Sequence, residues 1–261
     1  DDHILQKYSS YLAGIDKNSE LQYWKKLLEK LPEDISLPGQ MDPGDRDYDQ
    51  GVVFVPMSEQ TSAAIDAAQK RYRATAYNIL QTAWAVALSR MSRSEDVVFG
   101  AITSGRDRQV QGAELVPGGV IRLIPVRVRT DDEMSFSELV REVQQQFLLS
   151  NENSHCSIDE IKDVLHREDP IFLHLLNCHN FHDSRADSKG LELPGFKLIG
   201  ANIYDNLSAP LSIYVLAVDG KQGFGFGYDR NCFTQKRSRA FGAYFNQVLD
   251  QVVSSDYSLK M

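Results

Sequence analysis

Apolar residues recur at spacings of three and four from Glu20 to Leu31, where Leu21, Trp24, Leu27, Leu28 and Leu31 share one face. That period predicts an amphipathic helix, and Pro32, which has no N–H to continue the ladder, ends it. The next stretch, Asp34 to Gln50, mixes Pro38, Gly39, Pro43 and Gly44 with charges, and reads as an irregular connector. VVFV within Gly51 to Pro56 is a short β-run. Ser58 then caps a helix to about Tyr72, with Ile65, Ala68 and Tyr72 inward, and Thr75 caps another from Ala76 to about Met91. The second of these is apolar around most of its circumference (Ile79, Leu80, Ala83, Trp84, Val86, Ala87, Leu88), which marks it as buried.

The continuous apolar run within Asp96 to Thr103 predicts a buried central strand. A glycine-bearing loop follows, and Val120 to Val128 is a further strand in which Arg122 and Arg127 interrupt apolar residues, with Arg129 just beyond. Ser135 with Glu138, and Ser157 with Glu160, have the spacing of capping boxes that open helices to about Leu149 and His166. The last third is mostly β: Ile171 to Cys178, Lys197 to Tyr204, Leu211 to Val218 and Gly223 to Tyr228, the final two joined by the hairpin signal Asp219-Gly220. Thr234 caps a closing helix to about Val253. Strand, two helices, two strands, two helices, several strands and a helix predict an α/β layered sandwich with a mixed central sheet.

Composition agrees with a globular chain: 261 residues, 42% apolar and 25% charged. The formal charge of −8 argues against a general nucleic-acid-binding surface. No apolar run approaches the ~18 residues of a membrane span, and the first residues are acidic and mixed, unlike a signal peptide. Three widely spaced cysteines, Cys156, Cys178 and Cys232, make neither a disulfide framework nor a zinc pattern, so a reducing, cytoplasmic setting is the expectation. The chain opens at Asp1 rather than Met, which fits a piece of something longer.

Catalytic chemistry is not visible in the motifs. His174 and His179 are an odd number apart and would face opposite sides of an unbroken strand, so with His182 they are read as satisfied or surface histidines rather than metal ligands. His155 and Cys156 are adjacent in sequence, which rarely gives a nucleophile and its base the geometry to pair. Ser104-Gly105-Arg106 follows a strand as a phosphate loop would, but neither phosphate-loop pattern is present. Gly223, Gly225 and Gly227 alternate along one face of a strand, the mark of a close approach by another element. Arg122, in an apolar strand, has two readings: a salt bridge to a nearby carboxylate, or a side chain facing a channel.

Taken in order, DVVFG at Asp96 to Gly100, SGR at Ser104 to Arg106 and LVPGGVIRLIPVRV at Leu115 to Val128 resemble the condensation domains of nonribosomal peptide synthetases, the fungal ones in particular. YSSYL at Tyr8 to Leu12 and YWKKLL at Tyr23 to Leu28 are similar to that family's crossover helices. LHLLNCHN at Leu173 to Asn180 and GYDRNCF at Gly227 to Phe233 fit its later segments. The resemblance implies one chloramphenicol acetyltransferase-like lobe of two, with a tunnel between the lobes. Into that tunnel the phosphopantetheine arms of carrier proteins bring thioesters, and an acceptor amine or hydroxyl attacks the donor. No cofactor is bound directly.

The alignment is with the C-terminal lobe: residues 1–39 as a linker or crossover segment, and 40–261 as the lobe itself. The partners implied are an N-terminal lobe upstream and carrier domains, with neither nucleic acid nor membrane. The family's HHxxxDG signature belongs to the other lobe, and no adjacent histidine pair occurs here. Where the family has an Asn in a tunnel-facing strand, four residues after a Gly, this chain has Arg122 after Gly118. The expected tunnel-proximal or fold-critical positions are Ser104, Gly105, Arg106, Gly118, Arg122 and Asn180, with no catalytic base among them. Half of a condensation domain, inactive by itself, is therefore expected. The alternative is a degenerate module that docks a carrier or another synthetase domain. A third reading, an oligomeric acyltransferase, would need His155, His174, His179 or His182 as its base. A buried histidine lining a closed pocket made only of this chain would contradict the non-catalytic expectation.

Overall fold

A computed structural model of the chain describes residues 2–106, 109–116, 120–131, 133–178, 192–193, 196–197, 209–218 and 221–254. Two helices lead, α1 (Asp2–Ala13) and α2 (Lys17–Leu27). The body follows as β1 (Gln50–Pro56), α3 (Glu59–Tyr72), α4 (Ala76–Ser92), β2 (Asp96–Ser104), a 3₁₀ turn (Ala113–Leu115) and β3 (Ile121–Arg129). Then come α5 (Phe136–Glu152), α6 (Ile158–Leu165), β4 (His174–Asn177), the short pair β5 (Glu192–Leu193) and β6 (Phe196–Lys197), β7 (Leu211–Val218), β8 (Lys221–Asp229) and α7 (Gln235–Ser254).

Local chemistry placed most of these boundaries. Ser58 accepts from Thr61 N, and Thr75 from Asn78 N. Both capping boxes close reciprocally, Ser135 with Glu138 and Ser157 with Glu160. Thr234 Oγ1 accepts from Arg237 N at 3.2 Å. The strand expected over Lys197 to Tyr204 lies almost wholly outside the described residues, as does the Asp219-Gly220 turn. The pairing of Val218 with Lys221 nonetheless leaves two residues between β7 and β8.

Six strands form one sheet in the order β1-β8-β7-β4-β2-β3. The three inner strands β7, β4 and β2 run parallel, and the flanking pairs are antiparallel, so the mixed sheet is as expected. Helices α3, α4, α5 and α7 pack together against it. Phe245 of α7 makes edge contacts with Phe224, Phe226 and Trp84, at centroid distances of 4.9, 6.4 and 5.4 Å. The alternating glycines of β8 face the other way. A Cβ at Gly225 would lie 2.3 Å from the Tyr214 ring, so that ring lies flat on the strand only because glycine is there. The close approach read from the sequence comes from a neighbouring strand.

α2 ends at Leu27, four residues before the end predicted from Leu31 and Pro32. Its last carbonyls turn onto Arg127 of β3. Nη1 donates to Leu27 O (3.0 Å) and Glu29 O (2.6 Å), and Nη2 to Lys30 O (2.8 Å). Nε and Nη2 also donate to the two oxygens of Asp96, at 2.8 and 2.6 Å. All five N–H donors of a buried guanidinium are thereby used. The buried arginine that answers to a carboxylate in this strand is thus Arg127, with the exposed Arg129 also 3.4 Å from Asp96 Oδ2. From the same arrangement Trp24 and Leu28 enter the main core, and Trp24 Nε1 donates to Asn153 O at 2.7 Å.

β3 is an edge strand, and α5 protects it. Gln146 Oε1 accepts from Arg127 N at 3.0 Å and its Nε2 donates to Arg127 O at 2.5 Å, in place of a partner strand. Two residues back, Pro125 presents no N–H.

Arg127→Met is expected to cost about 3–5 kcal/mol, because it leaves Asp96 and three carbonyls without their donor. Urea unfolding of the two proteins measures this. A difference below about 1 kcal/mol, the scale of an exposed ion pair, would show that Arg127 does not anchor α2.

Candidate functional site

Four of the six expected positions come together at the carboxyl end of β2 and the start of β3. Ser104 is the last residue of β2, exposed and paired with Ile121. Its Oγ accepts from Arg106 N at 3.4 Å. Gly105 is buried, and its N–H donates to Val120 O at 2.6 Å. A Cβ there would meet Val120 O at 2.0 Å and Arg122 Nε at 2.9 Å, so only glycine lets the loop close on β3. Arg106 Nη2 donates to Val116 O at 3.2 Å, while its Nε is buried without a partner. Gly118 and Asn180 lie outside the described residues.

Arg122 is half-buried. Its Nη1 donates to Ser154 Oγ at 3.1 Å and its Nη2 to the Tyr8 hydroxyl at 2.9 Å. Tyr8 in turn donates to Gly105 O. Tyr8 and Ser154 were not singled out from the sequence. The signal available for Tyr8 was the stripe Ile4, Tyr8 and Tyr11, spaced four and three on α1. Nothing local marks Ser154, whose only cue is its position after α5.

Tyr77, also missed, opens α4 and reaches the same end of the sheet. Its hydroxyl lies 2.9 Å from both Ile102 O of β2 and Leu176 O of β4, where the pairing of those two strands ends at Ala101 and Leu176. Burial pushes its ionisation well above the ordinary phenol range, so it is a neutral donor.

The remaining titratable groups do not assemble a nucleophile. His155 Nδ1 lies 2.6 Å from Glu20 Oε1, and the Cys156 thiol donates to the other oxygen of Glu20 at 3.6 Å. A carboxylate therefore serves both neighbours. Burial and that carboxylate push the Cys156 thiol up to about 12, and burial likewise raises Cys178, so neither supplies a thiolate at neutral pH. Cys232 is pushed up to about 11, by burial first and then by Asp229. Among the described residues no group of His, Cys, Asp and Glu could hold a metal ion. His179 and His182 lie outside them.

His174 departs from the expectation of a satisfied or surface histidine. It opens β4, is 2% exposed, and neither ring nitrogen has a hydrogen-bond partner. It lines a cavity of about 20 Å³ with Ser36, Ser92, Ser94 and Asp34. A buried histidine in a cavity of this chain thus exists. The space is the size of one water, too small for an acyl substrate. The three serine hydroxyls donate to Asp34 Oδ1, Leu88 O and Asp96 O rather than meeting the imidazole. The cavity also lies at the amino end of β4, away from Ser104 and Arg122. Burial lowers its ionisation to about 3.

A family model described as Condensation domain matches residues 2–257. The chain belongs to the condensation-domain family. Among curated proteins it is 28% identical over 259 residues to bacitracin synthase 3 of Bacillus licheniformis, covering 95% of this chain and 4% of the synthase. It is 27% identical over 256 residues to tyrocidine synthase 3 of Brevibacillus parabrevis, covering 96% of this chain and 4% of that synthase. These relatives are bacterial, so the fungal leaning of the resemblance gains no support. The fold superposes on a four-domain nonribosomal peptide synthetase bound to AMP and glycine, with a TM-score of 0.79 at 15% identity, over 94% of this chain and 20% of that one. It also superposes on the X-domain from teicoplanin biosynthesis (TM-score 0.74, 19% identity, 93% and 56% covered). The first condensation domain of the calcium-dependent antibiotic synthetase gives a TM-score of 0.71 at 15% identity, with 99% and 56% covered. The condensation-domain chain therefore spans about half the length of these last two solved structures and a small part of the synthases. No helix of its described residues is long and apolar enough to cross a membrane.

The buried imidazole predicts an acid sensitivity. Unfolded, it takes up a proton near pH 6.5; folded, only near 3, so stability is complete above about 6.5 and falls as pH drops toward 3. His174→Val should flatten the dependence of unfolding free energy on pH between 6 and 4 by about 1.4 kcal/mol per pH unit. Parallel curves for the two proteins would show that His174 is hydrated and titrates normally.

Proposed function

We propose that this chain is the C-terminal half of a nonribosomal peptide synthetase condensation domain. It would supply one wall of the acyl-transfer tunnel and part of the surface on which carrier proteins dock, with thioester substrates arriving on their phosphopantetheine arms. The observation that carries this reading is the family match over residues 2–257 by a chain about half as long as a solved condensation domain, in a sequence with no adjacent histidine pair. The leading residues 1–39 are the crossover from the other half.

Acyl transfer of this kind needs an imidazole within hydrogen-bond reach of the attacking amine, and donors for the developing oxyanion. The described site supplies shape: the tight loop at Gly105 and the Arg122 fork seated on Ser154 and Tyr8, whose hydroxyl proton is already given to Gly105 O. Of the described imidazoles, His155 is committed to Glu20, His174 borders a water-sized cavity at the amino end of β4, and His3 and His166 are exposed. In this reading the proton-handling histidine belongs to an upstream HHxxxDG segment, and the chain is inactive alone.

A second reading has its own support. The X-domain of teicoplanin biosynthesis, of the same fold, is solved in complex with OxyB (TM-score 0.74, 18% identity). A condensation fold can thus serve as a protein-docking module, and this chain could act as one for a carrier or another synthetase domain.

The test is product formation from a carrier-loaded donor and a carrier-loaded acceptor. This chain alone should give no amide or ester, and the chain joined to an upstream half carrying HHxxxDG should give it. Turnover by the chain alone would overturn the proposal. Tight binding of a holo carrier, with no chemistry even when the upstream half is present, would select the docking module.

A further inference from the structure

α1 and α2 are adjacent in sequence but are held by different means. α2 is fixed to the body by Arg127, by Trp24 in the main core and by the buried Glu20 carboxylate, which accepts from His155 N at 2.9 Å. α1 is separated from it by Gly14, Ile15 and Asp16 and does not enter that core. Its inward stripe, Ile4, Tyr8 and Tyr11, packs instead with Val110, Ala113, Val116 and Val120 into a second, small cluster. Gly112 lies against Ile4, with room for little more than a methyl group between them.

Besides the Arg106 bond to Val116 O and the edge contact of Tyr11 with His155, this satellite meets the end of the sheet through a buried hydroxyl. Tyr8 is 5% exposed, and Ser154 is 3% exposed. A phenol has one proton to give. Arg122 has only donors, so its contact with the Tyr8 oxygen obliges Tyr8 to aim its own proton elsewhere, and the acceptor it meets is Gly105 O. The other arm of the guanidinium fork is fixed by Ser154, whose Oγ lies 2.7 Å from Asn151 O at the end of α5. The result is a pair of donor chains that diverge from Arg122, one through Ser154 to Asn151 O of α5 and one through Tyr8 to the carbonyl of the Ser104–Arg106 turn.

We infer that Arg122 is a positioning residue, which acts through Tyr8 to hold α1, the segment 109–116 and the Gly105 carbonyl as one cooperative unit on the end of the sheet. The unit opens and closes together, and its opening is independent of α2. This rests on contacts within the chain and holds whether or not the chain takes part in acyl transfer. It also gives Arg122 work that an Asn could not do, because only a long planar fork reaches two acceptors on different elements at once.

Native-state amide exchange, followed residue by residue by NMR, tests it in the whole chain. In the wild type the protected amides of α1 and of 109–116 should share one opening free energy, and the Tyr8 hydroxyl proton should give its own slowly exchanging resonance. Tyr8→Phe, which keeps the ring and the fold, should speed exchange in both segments by the same factor, roughly tenfold. Arg122→Met should do the same and abolish the hydroxyl resonance. Arg122→Lys should fail to restore it, since one ammonium cannot reproduce the fork. Exchange in α2 should change less than twofold in every variant. The inference is overturned if α1 and 109–116 respond by different factors, if α2 accelerates equally, or if Arg122→Lys behaves as wild type.

Discussion

A guanidinium presents five N–H donors in a rigid plane, and burying it is tolerable only when each is met. Arg127 satisfies that demand by drawing on two parts of the chain distant from its own strand: Asp96 at the start of β2, and the carbonyls of Leu27, Glu29 and Lys30 at and just beyond the end of α2. Once it is placed, the direction of the leading segment, the end of α2 and the pairing of β2 with β3 are no longer independent. The edge of β3 is closed by the same residue, whose backbone is held by Gln146 of α5. A single buried cation thus joins the leading segment, the sheet and the helical layer.

The candidate site, at Arg122, lies five residues back along β3 from Arg127, at the opposite end of the strand from the solvent-exposed Arg129. There the demand is smaller. Arg122 is half-buried and answers to two hydroxyls, so the elements it joins are held by neutral acceptors and by a cluster of a few side chains. Two of the three arginines of β3 therefore differ in consequence: Arg127 ties the end of α2 to the body, and Arg122 joins α1 to the sheet through neutral hydroxyls.

The chemistry of the described residues points the same way. The thiols are neutral because they are buried, in two cases beside a carboxylate. His174 is neutral because its surroundings are dry, and the nearby hydroxyls are turned to other acceptors. None of these groups is poised to exchange a proton at neutral pH.

Alternation and capping made the elements legible, because those signals act over two to four residues. Ser58, Thr75, Ser135 and Ser157 begin their helices where their side chains can meet the nearby N–H groups, and the α/β pattern follows from counting them. The glycine in Ser104-Gly105-Arg106 was legible as a special position, though not that β3 would press against it. Which arginine is buried was not legible at all: Arg122 and Arg127 look alike in an apolar strand. Arg127 meets Lys30 across 97 residues and Arg122 meets Tyr8 across 114, and no local pattern encodes contacts of that range. Likewise the isolation of His174 depends on what the connector at Ser36 and the end of α4 leave around it. Periodicity settles which face of each element turns inward; only assembly of distant segments decides which polar group inside finds a partner.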